Sequence, residues 1–123
     1  MANPNIVGVT SILGDTTSVA AAVADRAIAN NPASSGKVLK INTIIAANNN
    51  TTTAAVVHVN LYPLDDLGGV SNAIAHAITV PANSSLIVID KSTSFYLKEN
   101  QSIGANASTT SSIVYTTSFE IIS

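Results

Sequence analysis

Catalysis and metal binding need particular side chains brought together, and this chain offers few candidates. His58 and His76 are its only imidazoles. Either could bind a transition metal or move a proton near neutral pH, but a metal site also needs partners at ligand spacing, and none accompany them. Alternation along a strand turns His58 outward beside Asn60, while His76 shares a face with Ile74 and Ile78. Both are read as structural or interface residues. Asp65 and Asp66, beside Gly68 and Gly69, could offer oxygen ligands to calcium, yet two adjacent acids miss the alternating pattern of a loop that wraps an ion. A solvated turn is the expectation there.

Serine and threonine are abundant, but no G-x-S-x-G elbow accompanies them, so a Ser/His/Asp arrangement has no support. The glycines form no phosphate-binding fingerprint and stand where turns or bulges are expected. Asn49, Asn50, Asn83, Asn100 and Asn106 each head an N-x-S/T sequon, which a chain this rich in Asn, Ser and Thr generates by chance. The expectation is a protein with no catalytic, cofactor-binding or metal-ligating residues, and so no enzyme.

Composition points the same way. The 123 residues suit one domain spanning 1–123. The apolar fraction comes from Ala, Val and Ile, with two Phe, three Tyr and no Trp, and such small or β-branched side chains fill thin cores between sheets. Only 10% of residues are charged, which leaves a surface of Asn, Ser and Thr suited to lasting contact with other protein surfaces. Five Lys and Arg at a net charge of −2 give no basic patch for a phosphate backbone, so nucleic acid is not an expected partner. There is no Cys, hence no disulfide and no thiolate site. MANPNIVGV lacks the basic start and apolar core of a secretory signal, and no apolar run approaches the ~20 residues of a spanning helix. A soluble protein made inside a cell, with no membrane partner, is expected.

The elements that would position these residues read as strands. Asn5 to Leu13 is β-rich, with Gly8 a candidate bulge, and Gly14-Asp15 reads as its turn. Residues 16–30 allow two readings. A helix capped by Asp15 or Thr16 would align Val19, Val23 and Arg26/Ala27, whereas a strand pair broken near Asp25 sets Val19, Ala21 and Val23 on one face. The strand pair is preferred, because everything downstream is β and a lone helix would lack a packing partner. Asn31 to Gly36 is a turn cluster. Lys37 to Ala47 alternates with Leu39, Ile41, Thr43, Ile45 and Ala47 as the core face. After the polar loop Asn48 to Thr53, Ala54 to Tyr62 returns as its antiparallel partner, with Ala55, Val57, Val59 and Leu61 inward and Val56, His58, Asn60 and Tyr62 outward.

Ile78 to Ala105 carries the clearest signals. Ile78 to Val80 stops at Pro81, and PANSS turns the chain. Leu86 to Ile89 is a run apolar on both faces, Asp90 to Thr93 turns again, and Phe95 to Lys98 alternates. Glu99 to Ser102 reads as a turn before the short apolar piece Ile103 to Ala105. Ser112 to Ile122 closes the chain with Ile113, Tyr115, Thr117, Phe119 and Ile121 on one face. About eight short strands at this spacing predict an all-β antiparallel sandwich, wired as a jelly roll or Greek key.

The succession NNPASSGKVLKINTIIAANNNTTTAAVVHVNLY, then HAITVPANSSLIVIDKSTSFYLKENQSIGANAS, then FEIIS, resembles a family of small β-sandwich virion proteins of tailed bacteriophages, notably cyanophages. The family pattern falls on Pro32-Ala33, Val38 to Asn48, Pro81 to Leu86 and Leu97 to Ile103. It covers about residues 28 to 122, and the alanine-rich segment before it departs from the pattern. The resemblance implies a structural protein of the virion, made in the host cytoplasm, that forms a homo-oligomer, a trimer, and contacts the major capsid protein or other virion proteins. A capsid decoration or cement protein leads among these expectations, ahead of a tail, neck or fibre component. A carbohydrate-binding module comes next, and would need exposed aromatics from Tyr62, Tyr96 and Tyr115 on one face.

Overall fold

A computed structural model describes residues 8, 10–109 and 112–123. Nine strands follow in order: β1 (Ile12–Ala20), β2 (Arg26–Asn31), β3 (Val38–Asn48), β4 (Ala55–Tyr62), β5 (Asn72–Val80), β6 (Ser85–Ile89), β7 (Phe95–Leu97), β8 (Gln101–Ala107) and β9 (Ile113–Ile122). They form a five-stranded sheet, β1-β9-β3-β6 with β7 also on β3, and a four-stranded sheet, β2-β8-β4-β5, all antiparallel.

The wiring is that of a jelly roll. The pairs β4·β5, β3·β6, β2·β8 and β1·β9 are nested arms of one long hairpin whose tip is the loop between β4 and β5. Rolling the hairpin brings β9 beside β3 and β8 beside β4, which completes the two sheets. β6 and β7 act as one interrupted strand: β6 lies along Ile44 to Ala47 of β3 and β7 along Leu39 to Ile41. A single 3-10 turn, Lys91–Thr93, separates them. The Asp90 side chain accepts the Ser92 N–H, and the Thr93 hydroxyl accepts the Asp90 N–H, so this turn is capped from both sides.

Between the sheets lies one apolar cluster drawn from both. Ile41, Ile44, Leu97, Ile113, Tyr115 and Phe119 come from the five-stranded sheet, and Val57, Val59, Ile103, Ala105 and Ala107 from the four-stranded one. Burying each Val or Ile side chain is worth ~1.5–3 kcal/mol, and a layer this rich in small residues lets the sheets approach closely. The inward faces expected for β4 and β9 hold over most of their length: Ala55, Val57 and Val59 are buried, as are Ile113, Tyr115, Thr117 and Phe119, while Leu61 and Ile121 are half-buried and Ile122, expected outward, is buried.

Several sequence expectations are corrected. β3 and β4 are not paired; the loop between them carries the chain from one sheet to the other. A polar loop between two alternating runs looks the same whether it closes a hairpin or crosses the sandwich. Within β3 the predicted core face holds only as far as Ile41. The register against β9 shifts between Ile41 and Thr43, so one extra residue is accommodated and the alternation changes phase. Ile44 and Ala46 are then buried, while Thr43, Ile45 and Ala47 turn to the outer face.

Gly14 and Asp15 do not turn the chain; β1 runs through them in unbroken register with β9. Of the strand expected over Asn5 to Leu13, Ile12 and Leu13 belong to β1, and residues 5–7 and 9 lie outside the described residues. The strand reading of residues 16–30 is correct, with the break falling at 21–25. Leu86 to Ile89 is not buried on both faces: β6 flanks β3 at the margin of its sheet, and Ile87 is 62% exposed. Gln101 and Ser102, expected in a turn, open β8.

Candidate functional site

The densest polar grouping lies on the outer face of the four-stranded sheet, around Asp25 at the end of the β1–β2 connection. Outward alternation on β4 presents His58, Asn60 and Tyr62, and the same alternation on β8 presents Asn106. The Tyr62 hydroxyl donates to Asp25 Oδ2, Asn60 Nδ2 donates to the same oxygen at 3.2 Å, and Asn106 Nδ2 donates to Oδ1. One carboxylate thereby ties the connection to two neighbouring strands. Gly104 is the floor of this arrangement: a Cβ there would stand 2.8 Å from Leu67 Cδ2 and 2.9 Å from Tyr62 Cε1. Only a glycine lets the tyrosine ring and Leu67 lie this close to β8.

Burial pushes the Asp25 carboxyl up, but the hydrogen bonds from Tyr62, Asn106 and Asn60 outweigh it and hold the group below its ordinary value. The Tyr62 hydroxyl is held above its ordinary value by the same bond, then by burial and the Asp25 charge. Tyr115, on the opposite sheet, crosses the core so that its hydroxyl donates to the Asn106 carbonyl at 2.7 Å. Burial first, and the Asp25 charge second, push its ionisation far up, so it acts only as a hydrogen-bonding neutral phenol.

His58 and His76 do come together, edge to face with ring centroids 4.9 Å apart. A β-bulge brings this about: the β4–β5 register shifts between Val57 and Val59, leaving His76 and Ala77 opposite His58, with Ala77 at a φ of 52°. The Ala77 N–H donates to His58 Nδ1 at 3.2 Å. An uncharged imidazole that accepts at Nδ1 carries its proton on Nε2, so neither nitrogen has a lone pair free for a metal. Among the described residues no group of three or more His, Asp or Glu side chains is placed to hold a metal ion.

The acids of the β4–β5 loop are also engaged with the chain. Asp65 Oδ2 accepts the Ala33 N–H at 3.1 Å, and Asp66 Oδ1 accepts from Asn30 Nδ2 at 3.1 Å. They join loops and do not converge on a common point. The three tyrosines do not share a face: Tyr62 is on the outer surface of the four-stranded sheet, Tyr96 on β7 of the other sheet, and Tyr115 in the core. Of the sequon residues, Asn106 is bound to Asp25, and Asn83 and Asn100 occupy turns at φ of 58° and 61°.

Two buried asparagines were invisible to sequence reasoning. Asn31 Nδ2 donates to the Lys37 carbonyl at 2.9 Å and the Leu97 carbonyl at 3.1 Å, and its Oδ1 accepts from Ser35 Oγ. Asn48 Nδ2 donates to the Thr53 and Val80 carbonyls at 3.1 and 3.0 Å. Each satisfies backbone groups where a strand leaves its sheet, and the only signal in the chain is an Asn at the last position of a strand beside a turn cluster.

The outer face of the five-stranded sheet has a different character. Thr16, Ser118 and Thr43 lie side by side across β1, β9 and β3, and Ser18, Thr116, Ile45 and Ile87 form the next row. Thr16 donates to the Ser118 hydroxyl at 3.4 Å, and the Ser18 and Thr116 hydroxyls are 3.3 Å apart. Among the paired strand residues described, charge enters this face near one end, where Lys40 stands opposite Glu120. Among the described residues no helix is long and apolar enough to cross a membrane.

No protein-family model matches the chain, and no curated protein does. Among solved structures, one described under the words "Bacillus endospore appendages form a novel family of disulfide-linked pili" aligns over 99% of this chain and 95% of its own, with 18% identity and a TM-score of 0.48. A likeness of that size carries no argument about function, and this chain has no cysteine with which to form such links.

Proposed function

We propose that this chain is a non-enzymatic structural component of a bacteriophage virion, a decoration or cement protein that reinforces the capsid through protein–protein contacts as a homo-oligomer. The observation that carries the reading is the outer face of the five-stranded sheet. Among the described residues its central rows are Thr16, Ser118 and Thr43, then Ser18, Thr116, Ile45 and Ile87, with Lys40 opposite Glu120 in a row beyond them and Ala20, Val114 and Ala47 in the row on the other side. Such a face has little charge to desolvate and hydroxyls that can exchange water for partner groups, which suits a permanent contact. The titratable side chains support the same reading, since Asp25, Asp65, Asp66 and His58 each hold a loop or a bulge in place. The jelly roll is compatible with it, although that fold hosts lectins and enzymes as well as capsid proteins.

Co-sedimentation of the purified chain with assembled capsids lacking it is the test. Saturable binding that raises the temperature at which the shells open supports the reading. Binding to tails or necks alone would transfer the protein to those structures.

A further inference from the structure

Among the described residues no strand pairs with the outer edge of β1. Ser11 and Ser123 exchange backbone hydrogen bonds and the Ala21 N–H donates to the Ile113 carbonyl, so the odd-numbered residues of β1 direct their backbone groups at β9. Ile12, Gly14, Thr16, Ser18 and Ala20 therefore direct theirs outward. The other edges carry features that discourage strand addition. β2 is six residues long with a register shift near Ile28, β5 is bulged opposite His58, and β6 and β7 are two short pieces. β1 extends for nine residues without a shift, Pro or Lys. Among the described residues its covers are the Asp15 carboxylate, which accepts the Thr16 N–H at 2.8 Å, and Arg26, which donates to the Ala20 carbonyl at 3.3 Å.

Beside that edge, between the two sheets, lies an open and largely apolar groove of about 230 Å³ whose lining includes Val19, Ala27, Ile28 and Phe119 together with Thr17 and Asn30. Leu13, two turns of the pleat from Thr17, is 60% exposed.

We propose that β1 pairs with β1 of a second copy of this chain, antiparallel about a two-fold axis at Thr16. Hydrogen bonding requires even-numbered residues to face even-numbered ones, which leaves few registers. Centring the pair on Asp15 sets two carboxylates directly opposite each other, and centring it on Thr17 sets Asp15 against Val19 and over the apolar groove. Centring it on Thr16 avoids both. Asp15 then faces Thr17, and Leu13 of each copy lies beside Val19 of the other, above the groove. The Thr16 N–H exchanges the Asp15 carboxylate for a carbonyl of the second copy, and the two five-stranded sheets continue as one. A two-fold contact makes the pairwise unit a dimer, where the family resemblance implies a trimer.

The absence of cysteine makes single-cysteine variants a clean test. In this register two Thr16 Cα atoms stand about 5.5 Å apart, within reach of a disulfide. Mild oxidation should convert Thr16→Cys almost wholly to a covalent dimer and leave Ser18→Cys monomeric on a denaturing gel. Ser18→Pro removes one outward N–H without touching the β9 ladder. It should shift the dimer to monomer by light scattering at an unchanged circular dichroism spectrum. A wild-type protein that is monomeric at high concentration, a Thr16→Cys variant that does not cross-link, or a Ser18→Cys variant that cross-links equally well would each overturn the pairing. Should Ser18→Pro fail to fold, the two cysteine variants still decide. A capsid-binding monomer would overturn this inference and leave the functional reading standing; a dimer that ignores capsids would do the reverse.

Discussion

The Asp25 carboxylate and the Tyr62 hydroxyl, 37 residues apart in sequence, share a hydrogen bond on the outer face of the four-stranded sheet. With Asn60 and Asn106 it fixes the β1–β2 connection, the point at which the chain first crosses between sheets. Because the folded protein holds Asp25 below its ordinary value of 3.8, its contribution is complete above that value and is lost as pH falls through the lower, folded value. Replacing Asp25 with Ala should cost about 1–2 kcal/mol at pH 7, the group being only partly buried. Denaturant melts at pH 7 and at successively lower pH should show the gap between wild type and variant closing below 3.8. A gap that persists unchanged in acid would show that the carboxylate's charge is not what holds the connection.

The phase change in β3 separates two isoleucines that are neighbours in sequence. Ile44 is fully buried and Ile45 lies on the outer face. Ile44→Ala should cost about 2–5 kcal/mol in urea melts and Ile45→Ala under about 1 kcal/mol. Simple alternation through the strand predicts the opposite order.

Much of the fold was legible in the chain, and the failures share a cause. Strand positions follow from alternation and turn residues, which are local, so β3, β4, β6, β7 and β9 lie close to where the sequence puts them, while β5 starts at Asn72, well before Ile78. The bulge near Asn42, the separation of β3 from β4 and the passage of β1 through Gly14 are settled by which strands become neighbours, and no local pattern records that. The polar grouping was half legible. Outward alternation presents His58, Asn60 and Tyr62 together, but Asp25 and Asn106 join them only when the hairpin rolls up.

Thr117 is wholly buried, and its hydroxyl has no hydrogen-bond partner among the described residues. It lies between Thr17 of β1 and Ile44 of β3 in register. Thr117→Val keeps the shape and removes the unmet polar group, so it should stabilise the protein by ~1 kcal/mol in thermal or urea melts. A loss of stability would mean that the hydroxyl has a partner in solution.

His58 accepts the Ala77 N–H and so has no nitrogen free for a metal ion while that bond stands. Treatment with EDTA, and separately addition of zinc or nickel, should leave the melting temperature where it is. A rise on adding metal would show that the His58–His76 pair rearranges into a ligand set.

We propose that this protein is a repeated part of a capsid, and quantitative mass spectrometry of its copy number on purified particles decides whether it is. Copies on the scale of the capsomers, remaining with the shell when tails are removed, are expected. A handful of copies leaving with the tail, or none in the particle, would contradict the proposal.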